Sequence, residues 1–155
     1  MPCIWGQHNG AQLFCQVAVL LPNNTPLPHG GVLPVVKTAR ALIDTGATTT
    51  CITSALATHL NLAPVGKINV QGVSGVVAHN SYLFQIGFPF LTSVGGVLPV
   101  GLPAQASGQV HVLGKLIHGF EFNAGSAAFE VLLGMDVLAT GSLVVQGNDT
   151  FSFSF

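Results

Sequence analysis

The chain has 155 residues, of which 49% are hydrophobic and only 6% charged, with 19 glycines, 9 prolines and 10 phenylalanines. That length fits one domain spanning residues 1–155, large enough to bury a core without a metal or a disulfide framework. Four basic against five acidic residues give a formal charge of -1, which provides no electrostatic footprint for nucleic acid or an anionic membrane surface.

A mean hydropathy of +0.63 raises the question of a membrane. No charge lies between Lys67 and Lys115, and the apolar run from Phe88 to Ala104 falls in that interval. The run holds Pro89, Pro99, Pro103, Gly95, Gly96 and Gly101, so as a spanning helix it would leave backbone groups unpaired in lipid. It reads as a loop and strand connection, and no membrane partner is expected. The segment from Met1 to His8 has no basic stretch followed by an apolar one, so the expected location is the cytoplasm. Three cysteines, Cys3, Cys15 and Cys51, are odd in number and widely spaced; they fit a reducing compartment, each as a small buried hydrophobe. A chain this poor in charge is expected to cover apolar surface by oligomerising.

Leu13 to Leu20 is apolar and β-favouring and stops at Pro22-Asn23-Asn24, a strand followed by a turn signal. After the proline-rich stretch Pro26 to Pro34, Val35 to Ile43 resumes the extended pattern and delivers the chain to Asp44-Thr45-Gly46. Thr53-Ser54 can cap a short helix over Ala55 to Leu60, with Leu56 and Leu60 on one face. Ile68 to Gln71 and Val76 to His79 flank Gly72-Val73-Ser74-Gly75, a β-hairpin whose tip glycines accept positive φ. Further strands are predicted over Ser81 to Phe88, Gln109 to Phe122, Ala127 to Leu133, Leu143 to Gln146 and Thr150 to Phe155. In the last, Phe151, Phe153 and Phe155 alternate with serines and form one apolar face. Many short strands, Gly/Pro-rich turns and one or two short helices define an all-β domain.

The chemistry concentrates in Ala41-Leu42-Ile43-Asp44-Thr45-Gly46-Ala47-Thr48, an acid set between an apolar strand and a glycine turn. Asp often merely caps a turn, and average composition gives Asp-Thr-Gly by chance in about 3% of chains this long. Here it is accompanied by the glycine-tipped hairpin downstream and by Val131-Leu132-Leu133-Gly134-Met135-Asp136 near the C-terminus.

With these motifs in this order, the sequence resembles the retropepsins, the retroviral-type aspartic proteases and their bacterial and cellular relatives, from about Leu13 to Phe155. The resemblance implies a closed or partly open β-barrel of short strands with a flap hairpin. It implies that Asp44 is the catalytic acid, that Thr45 hydrogen-bonds across a dimer axis, and that Gly46 lets the loop turn. Gly72, Val73, Ser74 and Gly75 match the flap that closes over substrate, and Leu132-Leu133-Gly134 matches the motif that threads beside the catalytic loop. Apolar surfaces at Ala47, Val73 and Leu132 would favour hydrophobic residues flanking the scissile bond.

Pepsin-like relatives carry two such motifs in a chain about twice as long; this chain has a single Asp-Thr-Gly. The resemblance therefore implies a homodimer with one Asp44 carboxylate per chain, acting on a peptide or protein substrate without metal or organic cofactor. Retroviral members often carry an acid at the position of Thr48 and an arginine at that of Met135, paired to lock the loop to the helix. Both positions are uncharged here, so that lock is missing.

Asp136 falls in the first turn of the family's C-terminal helix, where an acid suits the helix dipole, and is expected to be structural. Glu121, Glu130 and Asp149 have no partner motif and are expected to be solvated. His8, His29, His59, His79, His111 and His118 lack metal-ligand spacing. Ser74 is no nucleophile elbow, because a strand follows it where that motif needs a helix. Beside the protease stand two other readings: a catalytically silent module using the cleft for peptide binding or dimerisation, and an assembly protein with Asp44 as a turn residue.

Overall fold

The computed structural model describes residues 3–22, 36–72, 75–90, 109–123, 125 and 128–155. Val73 and Ser74, and the segment 91–108, lie outside the described residues. The elements in chain order are β1 (Cys3–His8), β2 (Leu13–Leu20), β3 (Val36–Ile43), β4 (Cys51–Thr53), α1 (Ser54–His59), β5 (Gly66–Gly72) and β6 (Gly75–Phe90), then β7 (Gln109–Phe122), β8 (Val131–Leu133), α2 (Met135–Leu138), β9 (Ser142–Val145) and β10 (Thr150–Ser154).

Six strands close into a barrel in the order β2-β3-β8-β4-β7-β6, with β6 returning to β2. On one side β5 extends the sheet from β6; on the other β1, β10 and β9 extend it from β2. Period-two alternation selects what faces inward. Val17 and Val19 of β2, Ala39, Ala41 and Ile43 of β3, Phe84, Ile86 and Phe88 of β6, and Val131 and Leu133 of β8 meet in one core. The phenylalanines at the C-terminal end turn to the core as their spacing predicts, Phe151 and Phe153 fully buried and Phe155 half-buried, but Ser152 between them is buried as well; Phe88 packs edge-on against Phe153 with centroids 5.6 Å apart.

Helix α1 starts where expected. The Thr53 hydroxyl accepts from the Leu56 amide at 3.2 Å, satisfying one of the orphan donors of the first turn. It ends in a left-handed residue, Asn61 at φ 51, with Asn61 N donating to Thr58 O and Leu62 N to Ala57 O, the paired closure of a Schellman turn.

Three elements differ from expectation. Strand β1 pairs with β10 and β2, although its residues Cys3–His8 bury only Ile4; pairing partners, not its own hydrophobicity, make it a strand. The hairpin arm and the strand after it are one continuous β6, sixteen residues long. Of the strand expected over Ala127 to Leu133, Ala127 lies outside the described residues and the strand runs over Val131–Leu133; Glu130 before it still bonds to both neighbours, its N–H donating to Arg40 O and its carbonyl accepting from Thr53 N.

All three cysteines are unpaired. Burial pushes the Cys15 thiol from its ordinary 9.0 to about 12. Cys51 rises to about 12 as well, through burial first and then the nearby charges of Asp136 and Asp44. The unfolded chain releases these protons earlier than the folded one, so the unfolded state binds fewer protons over that interval and stability falls with rising pH. Urea-unfolding midpoints are expected to hold below pH 9 and to decline between pH 9 and about 12. Cys15→Ala should flatten part of that decline; an equally steep decline in this variant would contradict the assignment.

Candidate active site

Strand β3 alternates Arg40, Leu42 and Asp44 outward with Ala41 and Ile43 inward. Asp44 follows the last strand residue, and its N–H still donates to Leu133 O at 3.0 Å, one step beyond the parallel β3–β8 pairing. The chain then turns sharply. Ala47 N donates to Asp44 O at 3.2 Å, and Gly46 N donates to Asp44 Oδ1 at 2.9 Å. A Cβ on Gly46 would stand 3.2 Å from that same Oδ1, so a side chain there would crowd the carboxylate. Among the described residues only Oδ1 of Asp44 takes a protein hydrogen bond. Asp44 is half-buried, and Thr45 and Gly46 are exposed.

The loop is held from below. Strand β8 lies between β3 and β4 in the sheet, so residues 44–50, which link β3 to β4, must straddle the end of β8. The two backbones cross at Gly134. A Cβ there would lie 2.6 Å from Thr49 C, which no side chain tolerates. The Leu132-Leu133-Gly134 motif thus threads beside the loop as its sequence implied. Beyond the crossing, Met135 N donates to Ala47 O at 2.8 Å and Asp136 N to Thr48 O at 3.2 Å, so loop carbonyls satisfy the first amides of α2.

Asp136 is structural, but its main partner is Thr50. Its carboxylate accepts from Thr50 N, 3.0 Å to each oxygen, and from Thr50 Oγ1 at 2.6 Å. Thr50 is fully buried, and its hydroxyl also accepts from Gly134 N at 3.0 Å. This tie joins loop, crossing and helix without an ion pair. Thr48 and Met135, the uncharged positions, are both exposed. Of the acids expected to be solvated, Glu121 is not: Asn80 and Tyr82 donate to its carboxylate.

Ala47 and Leu132 are half-buried beside the loop, with Leu132 in register with Leu42 of β3 and Cys51 of β4. Gly72 and Gly75 face each other at the far end of the β5–β6 ribbon, with Gly75 at φ +117. The arrangement unites Asp44, Thr45, Gly46, Ala47 and Leu132; among the described residues no hydrogen bond joins the ribbon end to them. A shallow hollow of about 220 Å³ opens elsewhere, between the start of α1 and Phe122, Phe129 and Glu130. Asp44 is not among the residues that line it. Cys51 beside the loop is no nucleophile, since its thiol stays protonated far above neutral pH.

An acid on a glycine turn, carried by a closed six-strand barrel whose C-terminal Leu-Leu-Gly threads beneath it, is the arrangement expected of an aspartic-protease domain. A family model described as aspartyl protease matches residues 29–137, and the chain belongs to that family. In structure it is similar to a retropepsin-like aspartic protease from Rickettsia conorii, with a TM-score of 0.53 and 14% identity over 98% of this chain and 90% of the other. The fold is therefore retropepsin-like. No curated protein matches the chain in sequence.

Two substitutions test the crossing. Thr50→Val removes the hydroxyl that serves both Asp136 and Gly134 N and should cost about 2–3 kcal/mol in urea unfolding, whereas Thr50→Ser should recover most of it. Gly134→Ala should cost at least about 1–3 kcal/mol through overpacking against backbone. Near-wild-type stability in both Thr50→Val and Gly134→Ala would mean that the loop is held some other way.

Proposed function

We propose that the chain is an aspartic endopeptidase that works as a homodimer, one Asp44 from each protomer forming the reacting pair. The observation that carries this reading is the state of Asp44. One carboxylate oxygen is fixed by the Gly46 amide, while the residue stands half-exposed beside exposed Thr45 and Gly46. That is half of a two-carboxylate site.

Two carboxyls within hydrogen-bond reach cannot both ionise cheaply, so the pair holds one shared proton and titrates with two separated values. Aspartic proteases are the type case of this coupling. The ionised Asp44 takes a proton from a water, whose oxygen attacks the scissile carbonyl carbon. The protonated Asp44 gives its hydrogen bond, then its proton, to the carbonyl oxygen. In collapse of the tetrahedral diol the Asp44 that took the water proton passes it to the leaving nitrogen, the other Asp44 takes a proton from a diol hydroxyl, and the C–N bond breaks as the new carbonyl forms, restoring the shared-proton pair. Nothing in these steps calls for a cofactor.

An extended peptide would lie over the loop, with Ala47, Val73 and Leu132 favouring apolar residues at the scissile bond and Gly72 to Gly75 closing over it as a flap. Thr45 would bond its counterpart across the axis. A reducing compartment such as the cytoplasm fits the three unpaired cysteines.

Wild type and Asp44→Asn are to be incubated with a peptide library at mildly acidic and at neutral pH. Cleavage by wild type alone is expected; equal cleavage by both, or none by a demonstrated wild-type dimer, would overturn the assignment. Mixing wild type with an equal amount of Asp44→Asn should leave about one quarter of the dimers with two acids. Activity that simply tracks the wild-type subunit concentration would rule out a shared site.

A further inference from the structure

The ribbon formed by β5 and the first part of β6 is a cantilever. β5 is an edge strand paired only with β6. Their register runs from Gly66↔Ser81 to Gly72↔Gly75, while β6 begins to pair with β7 only at Ser81↔Phe120. The described ribbon residues before Ser81 therefore have no third strand. Val76 and Val77 are exposed along it, and a two-stranded ribbon with no third strand among the described residues is marginal by itself. Its direction is decided at its root.

A single carboxylate spans that root. Glu121 Oε1 accepts from Asn80 Nδ2 at 2.8 Å and from Asn80 N at 3.3 Å, and Oε2 accepts from Tyr82 Oη at 2.9 Å. Asn80 is the last ribbon residue, and Tyr82 is already buried in the barrel core. The His79 ring leans on Phe120, centroids 6.1 Å apart, and Val65 N donates to Ser81 O at 2.8 Å. Glu121 is also in register with Ile52 of β4, two residues beyond Thr50, so the strand that closes the Asp44 loop lies beside the strand that carries the pin. An ionised carboxylate can accept from all three donors; a Gln amide offers one acceptor oxygen.

We propose that Glu121 is a positioning residue for the reaction, pinning the root of the β5–β6 ribbon so that its glycine end is held over the Asp44 loop. This rests on the reading of the ribbon as a flap. The environment of Tyr82 agrees: burial, then the Glu121 bond and charge, hold its hydroxyl protonated above the ordinary tyrosine range. Tyr82 is the chain's single tyrosine, so alkaline tyrosinate absorbance reads this root alone.

The test compares full-length wild type, Glu121→Gln, Glu121→Ala and Tyr82→Phe by amide hydrogen exchange, by tyrosinate titration where the tyrosine remains, and by peptide hydrolysis. In Glu121→Ala the ribbon amides should exchange about tenfold faster while β2 and β3 amides keep their rates, with Glu121→Gln intermediate. The tyrosinate midpoint should move down toward the ordinary value. KM should rise about tenfold, with kcat changing much less. Ribbon amides at wild-type rates, equal acceleration of ribbon and β2–β3, or unchanged KM and kcat would overturn the proposal. Tyr82→Phe, which deletes one hydroxyl and keeps the ring, decides the exchange arm if Glu121→Ala does not fold. If wild type cleaves nothing, the protease reading fails by itself, and exchange and titration still decide whether Glu121 pins the root.

Discussion

Everything at the candidate site depends on one crossing of backbones. Residues 44–50 have to pass over the end of β8 to reach β4, and they do so at Gly134, where the Thr49 backbone leaves no room for a side chain. Close approach of two chains strands amides and carbonyls that water cannot reach, and such groups are costly unless paired. The crossing pairs them internally: Ala47 and Thr48 carbonyls with the first amides of α2, Gly134 N with Thr50 Oγ1, and the Asp136 carboxylate with Thr50 N and Oγ1. The Asp44 carboxylate is then engaged only by the Gly46 amide, at one oxygen, and among the described residues its other oxygen takes no protein hydrogen bond.

The same economy runs through the charges. Only five acids exist in the chain, and three of them, Asp44, Glu121 and Asp136, have carboxylates that accept from neutral donors such as amides and hydroxyls. Between loop and helix the tie is a threonine bonded to an acid in the first turn of α2. Hydrogen bonds of this kind, partly withdrawn from solvent, are less exposed to ionic screening than a surface pair.

What could be read from the sequence was whatever is local. Asp44-Thr45-Gly46 announces itself because an acid, a hydroxyl and a glycine follow an apolar strand. The phenylalanines of β10 and the Thr53 cap of α1 are likewise set by neighbours a few residues away. Strand β1 escaped notice because Gly6, Gln7 and His8 give it no alternating face; β10 and β2 supply its pairing. His79-Asn80-Ser81 looks like a polar break between two strands, yet Glu121, 41 residues from Asn80, takes up the Asn80 donors and keeps β6 running through. Within the run Thr48-Thr49-Thr50 nothing local says which hydroxyl is buried. Asp136 decides that from 86 positions along the chain.

That separation has a consequence in time. The loop bearing Asp44 is synthesised before the strand it straddles, and the acid that ties it comes 86 residues after Thr50. Contacts this distant form late, after much chain entropy has been lost. Until Gly134 and Asp136 have left the ribosome, Asp44 sits on an unsupported loop, and a nascent chain carries the motif without the geometry. The turn that carries Asp44 therefore acquires its support only after Gly134 and Asp136 have been made, long after its own sequence.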